Sequence, residues 1–176
     1  MKNIKFLALV ALVVFMGCNN NDGTGTLSVR LTDAPATYDK VLIDLQELKI
    51  NVSDDSEEEG GWQTMDLEVK GQIDLLLLRD GNDILLTEEE LPAGKISQMR
   101  MVLGSNNQII VDGVTHDLST PSAQQSGLKF KINATIEEDE TYRMWIDFDA
   151  EKSIVESGNG KYSLKPTIKV ITEKQE

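Results

Sequence analysis

Leu128-Lys129-Phe130-Lys131-Ile132-Asn133-Ala134-Thr135-Ile136 alternates apolar and polar side chains without a break. A helix would scatter these apolar residues around its axis, whereas a strand sets every second one on a single face. The same period of two recurs in both directions along the chain. Leu27, Val29 and Leu31 alternate, as do Met99, Met101 and Leu103, then Met144, Ile146 and Phe148, then Tyr162, Leu164, Pro166, Ile168 and Val170. Val41, Ile43 and Leu45 alternate too, but Leu48, Ile50 and Val52 continue on the opposite parity. A β-bulge at Gln46-Glu47 would absorb that slip and keep both halves on one core.

The turns agree with strands. Asp112-Gly113 and Asn159-Gly160 are the dipeptides that a two-residue type I′ hairpin requires, because both positions need positive φ. The first turn would pair Val111 with Val114 and Ile109 with His116. Glu137 to Glu140 reads as a further hairpin turn before Thr141-Tyr142. Pro166 removes a ladder donor, so the last strand should be an edge or carry a bulge. A short helix can be written over Asp83 to Leu91, and one turn over Ala150 to Val155. The expectation is a single all-β domain over 27–172, an antiparallel β-sandwich of about eight strands with at most one or two short helical turns. A polar tail follows at 173–176.

The chain has 176 residues, 17 Lys+Arg against 30 Asp+Glu, and a net charge of −13. A phosphate backbone would be repelled by such a body, so nucleic acid is not an expected partner. One cysteine excludes a disulfide scaffold. That cysteine, Cys18, follows an apolar run from Phe6 to Met16 preceded by Lys2 and Lys5. As a helix the run would reach roughly 16 Å, about half a bilayer's hydrocarbon thickness, so it reads as the core of a signal peptide rather than a span.

Phe15-Met16-Gly17-Cys18 resembles the lipobox of bacterial lipoproteins, where a cysteine is acylated and the signal is cut just before it. Phe15 and Met16 depart from the usual residues, and the alternatives are a buried free thiol or a cut elsewhere. The lipobox reading divides the N-terminus into a signal peptide at 1–17 and a lipidated Cys18 with a flexible tether at 18–26. It leaves 159 residues with a side-chain balance of −15, since Lys2 and Lys5 depart. The membrane would be reached through lipid alone, because an acidic body gains nothing from anionic head groups. Asn19 stands where an aspartate is associated with inner-membrane retention, which favours the outer membrane, on its periplasmic side or at the cell surface.

Catalytic constellations are scarce. His116 is the single histidine and cannot complete a zinc site or a histidine triad with a second one. Its hairpin register makes it a half-buried strand residue. Ser157-Gly158-Asn159-Gly160-Lys161 has a superficial likeness to a phosphate loop that hairpin geometry explains better. No catalytic residue, cofactor or metal set is assigned, and the expectation is a protein that is not an enzyme. A carboxylate-based hydrolase of glycan or peptide is the remaining enzymatic reading, and it should lose activity on Asp147→Asn.

Acidic clusters at Asp54 to Glu59 and at Glu137 to Glu140 are ordinary solvated turns, although oxygen-rich loops can also attract calcium. Asp80-Gly81-Asn82-Asp83 fits a calcium loop only in part. Asp147 and Asp149 flank Phe148 on one strand face, either as a ligand site or as a hydrogen-bonded strand end. Trp145 shares their parity. If that face is open, Trp145 with Asp147 and Asp149 is the leading small-ligand candidate; if a second layer covers it, the candidate disappears.

Several motifs together resemble a bacterial envelope lipoprotein family, the domain of unknown function 4382. They are Leu31-Thr32-Asp33-Ala34-Pro35 with Tyr38, Leu91-Pro92-Ala93-Gly94 leading into Met99-Arg100-Met101-Val102-Leu103, Pro121-Ser122, Ser126-Gly127, Asp147-Phe148-Asp149-Ala150 with Ser153, and Tyr162-Ser163-Leu164-Lys165-Pro166. Ala123 stands where glycine is expected. The resemblance implies a prealbumin-like sandwich with an N-terminal lipid anchor and supplies no reaction. Asp33 before Ala34-Pro35 suits an Asx-type turn, so these motifs read first as fold determinants.

The combined expectation is a lipid-anchored envelope protein whose sandwich is a non-catalytic binding or structural module. Two alternatives are a glycan or calcium-dependent ligand binder and an accessory subunit of an envelope or adhesin complex.

Overall fold

A computed structural model describes residues 23–52, 61–120 and 126–173. Cys18 and the 53–60 acidic segment lie outside the described residues. The fold is all-β, with strands β1 (Thr24–Asp33), β2 (Lys40–Asn51), β3 (Trp62–Met65), β4 (Gly71–Asp74), β5 (Ile84–Pro92), β6 (Gly94–Leu103), β7 (Gln108–Val111), β8 (Val114–Ser119), β9 (Leu128–Ile136), β10 (Thr141–Phe148), β11 (Ile154–Glu156), β12 (Tyr162–Leu164) and β13 (Ile168–Thr172). The strand count exceeds the expected eight because β3, β4, β5 and β11 are additional strands and the stretch from Tyr162 is divided between two sheets. Four strands form one sheet in the order β13-β10-β1-β5. The larger sheet runs β11-β12-β8-β7-β2-β6-β9, and β3 and β4 also pair with β2.

Pairing is mixed rather than wholly antiparallel. β1 runs parallel to β10 from Thr26↔Thr141 to Asp33↔Phe148, and β12 runs parallel to β8. Parallel neighbours need long connections, and here most of the chain lies between β1 and β10. Both sheets turn their apolar faces onto one core, in which Leu27, Leu31, Ile43, Leu45, Met99 and Phe148 are fully buried. The arrangement is sandwich-like.

β2 is the spine of the larger sheet. Leu45 pairs with Gly71 of β4 and with Leu103 of β6, so those strands lie on opposite edges of it. The register between β2 and β6 shifts between Leu45 and Glu47, so the bulge at Gln46 is present, and Leu45, Leu48 and Ile50 are all buried. Asp112 and Gly113 take φ of 50° and 74°, with Val111↔Val114 and Ile109↔His116 in register. Asn159 and Gly160 occupy a similar turn, closed by Lys161 N–H donating to the Gly158 carbonyl at 3.2 Å, and β11 and β12 flank it.

Three expectations are corrected. Ile84–Pro92 is strand β5, because its backbone pairs along β1 from Thr24↔Pro92 to Leu31↔Ile84 and that ladder outweighs any helical preference of three consecutive glutamates. Glu137 to Glu140 is not a hairpin turn: it carries the chain from β9 in one sheet to β10 in the other, held to β1 by Thr26 N–H to the Glu140 carbonyl at 2.8 Å. Tyr162 to Val170 is two strands, broken at Pro166, with β12 in the larger sheet and β13 at the edge of the smaller. A residue without an N–H suits that change of partner. The helical content is a 3-10 turn at Leu75–Leu78, which buries three of its leucines, and one α-helical turn at Ala150–Ser153.

Candidate functional site

The outer face of the four-stranded sheet carries the sequence-derived candidates. Parallel register sets Arg30 of β1 beside Trp145 of β10 and Thr32 beside Asp147. On the other side of β10, Ile171 neighbours Trp145 and Lys169 neighbours Asp147. The alternation that buries Met144, Ile146 and Phe148 therefore leaves Trp145 and Asp147 together on the outside, both half-buried.

Trp145 is oriented by a polar partner. Its indole N–H donates to Asp83 Oδ2 at 2.8 Å, and Arg30 Nε donates to Asp83 Oδ1 at 2.6 Å. The Arg30 guanidinium holds the Asp83 carboxyl below its ordinary value, and the indole N–H adds to that effect against the cost of burial. Asp83 in turn raises Arg30. Asp83 arrives on the loop after the 3-10 turn, where Asp80 and Gly81 take φ of 59° and 85°. Thr32 Oγ1 lies 2.9 Å from both the Leu78 and Asn82 carbonyl oxygens and ties this loop to β1. Both oxygens of Asp83, the residue that closes the partial calcium-loop match, are thus engaged by side chains of the sheet.

Asp149 sits just past the end of β10, away from this arrangement. Its Oδ1 accepts from Lys152 N–H at 3.0 Å as the N-cap of the helical turn, and Oδ2 pairs with Lys152 Nζ at 2.6 Å. The Lys152 ammonium holds the Asp149 carboxyl down. Of the three candidates, Trp145 and Asp147 share a face with Arg30, while Asp149 serves the strand end.

The conspicuous sequence motifs converge on that same end. Asp33 Oδ1 accepts from Ala150 N–H at 2.9 Å, while Oδ2 is buried without a partner. Asp33 is 5% exposed, and burial lifts its carboxyl to about 7; the Ala150 and Ala34 N–H groups oppose the rise, and Asp147 and Asp149 reinforce it. Buried Ser153 accepts from Thr167 N–H at 2.8 Å, and Asp149 N–H donates to the Thr167 carbonyl at 3.0 Å. Thr37 N–H donates to Glu151 at 2.9 Å. The Asp33 side chain therefore bonds across to another strand end, at Ala150.

A concavity of about 660 Å³ opens beside the pairing of β8 with β12, lined by Asn107, His116, Asp117, Lys161 and Tyr162 among others. His116 is half-buried with its ring 5.0 Å from Tyr162 at 57°. Among the described residues, no group of three or more His, Cys, Asp or Glu converges as a metal site, and no helix is long and apolar enough to cross a membrane.

A family model described as Domain of unknown function (DUF4382) matches residues 24–166. The chain belongs to this family. The match spans β1 to the Pro166 break and includes every motif that converges on the Asp33 end. No curated protein and no solved structure matches the chain. The family's description carries no reaction or ligand, so the chemistry must be read from side chains. Trp145 offers a ring to stack on a sugar or another flat apolar surface, with Asp147 accepting and Lys169 donating beside it.

Proposed function

We propose that this chain is a lipid-anchored protein of the bacterial envelope, held to the outer membrane through Cys18, whose sandwich is a non-catalytic binding module with a prealbumin-like fold. The observation that carries the binding part is the oriented indole. Trp145 is fixed through its N–H to Asp83 on a sheet face that also presents Asp147 and Arg30. Fixing a ring before a ligand arrives lowers the ordering cost of binding. A hydroxyl-bearing ring, such as a sugar, suits an aromatic surface flanked by an acceptor and donors. Support for the anchor is the position of Cys18 after the apolar run Phe6 to Met16, only a short polar stretch before β1 begins at Thr24.

Two measurements test the reading. Radiolabelled palmitate should enter the wild-type chain in a bacterial host and not enter Cys18→Ala; equal labelling of both would refute the anchor. Titration with a panel of neutral oligosaccharides should shift tryptophan emission in the wild type and not in Trp145→Phe. A panel that shifts neither protein, or shifts both alike, would remove Trp145 from the binding role.

A further inference from the structure

One row across the outer face of the larger sheet carries charge of the opposite sign to the chain. Lys49 of β2 is directly paired with Arg100 of β6, and Arg100 with Lys129 of β9. Three cations thus stand side by side across three strands. The next row along places Gln98 beside Lys131, another cation. Like charges directly opposite one another destabilise a sheet. In a chain with 30 acidic and 17 basic side chains, a row of three bases is not what composition alone would place there. Lys49 has Glu47 at 2.7 Å. No carboxylate among the described residues forms an ion pair with Arg100 or Lys129.

Arg100 is also held in place. Its guanidinium carbon lies 4.1 Å from the centroid of the Trp62 ring, a cation–π arrangement. Gly127, at φ +69°, lies against its stem: a Cβ there would come within 2.7 Å of Arg100 Cγ. With its stem against Gly127 and its guanidinium over Trp62, Arg100 gives up little freedom when it meets an anion, and its planar fork matches carboxylate or sulfate.

We propose that this row binds a linear acidic polysaccharide, with its carboxylates or sulfates lying across β2, β6 and β9. Adjacent strands are about 4.8 Å apart, so the row repeats its charge at roughly the pitch of one sugar in an extended polymer. A flat anionic bilayer fits less well. The end of the sandwich where the tether enters is acidic: Thr24 bonds Glu90, and Asp139 N–H donates to the Thr24 carbonyl at 2.9 Å within the Glu137 to Glu140 turn. A narrow polymer can meet the basic row alone, whereas a membrane would also meet that acidic end. This face is opposite in the sandwich to the Trp145 face, so the two readings stand or fall separately.

The test uses the full chain in neutral detergent and polygalacturonate as the probe, with dextran as the uncharged control. Affinity electrophoresis should show retardation by polygalacturonate, none by dextran, and release as salt is raised. Arg100→Gln and Lys129→Gln should each raise Kd about fivefold to tenfold, Arg100→Lys less, and Lys165→Gln not at all. Absence of retardation, or retardation unchanged in Arg100→Gln and Lys129→Gln, would overturn the proposal. Cosedimentation with phosphatidylglycerol vesicles that depends on Arg100 and Lys129, without polygalacturonate binding, would overturn it in favour of a lipid surface.

Discussion

Replacing Asp33 by asparagine should turn a pH-dependent fold into a pH-independent one at this position. The carboxyl has an ordinary value of 3.8 and stands at about 7 in the fold. Because the folded form holds its proton more tightly, the contribution is fully present below pH 3.8 and is lost as pH rises through 7. Integrating that difference between pH 5 and pH 8 gives a loss of about 2–3 kcal/mol. The asparagine amide would keep an oxygen for Ala150 N–H and carries no charge to bury. Urea unfolding followed at pH 5 and pH 8 measures the effect. At a slope near 2 kcal/mol per molar, the wild-type midpoint should fall by about 1 M across that range beyond any change in Asp33→Asn. Asp33→Ala, which leaves the Ala150 N–H without its acceptor, should be weaker than Asp33→Asn at both pH values. Wild type and Asp33→Asn with superimposable pH profiles would refute the reasoning, as would a wild type that gains stability relative to the variant as pH rises.

Gly127→Ala should cost about 1–3 kcal/mol, because φ of +69° disfavours a side chain and the new Cβ would press on Arg100 Cγ; thermal unfolding checks it, and an unchanged Tm would contradict the close approach. Phe148→Ala removes the largest fully buried side chain, beside the Asp33 end, and should cost about 3–5 kcal/mol in chemical denaturation. A loss under about 1 kcal/mol would mean that the two sheets do not share the core assigned to them.

How far the sequence could be read depended on distance along the chain. Strands, the Gln46 bulge and the Asp112-Gly113 turn were legible because parity and turn chemistry are local. β5 was not, since its three glutamates hide the alternation and its backbone partner is β1, far away in sequence. The shared outer face of Trp145 and Asp147 was legible from strand parity. Arg30 and Asp83 were not, because they reach Trp145 from a parallel neighbour and from a loop, and no local pattern encodes a parallel register. Asp149 shares that parity but is drawn off by the Lys152 N–H, a capping role that its place before Ala150-Glu151 could have signalled. The basic row needed the cross-strand register, for Lys49, Arg100 and Lys129 lie on three separate stretches of sequence.

β1 lies between β5 and β10 in its sheet, and its parallel partner is made from nearly the last stretch of chain. Until that stretch exists, one flank of the first strand is bare and half of the interior has no lid. A polypeptide wired this way cannot complete its smaller sheet until β10 has been made, and nonlocal pairing of this kind slows folding.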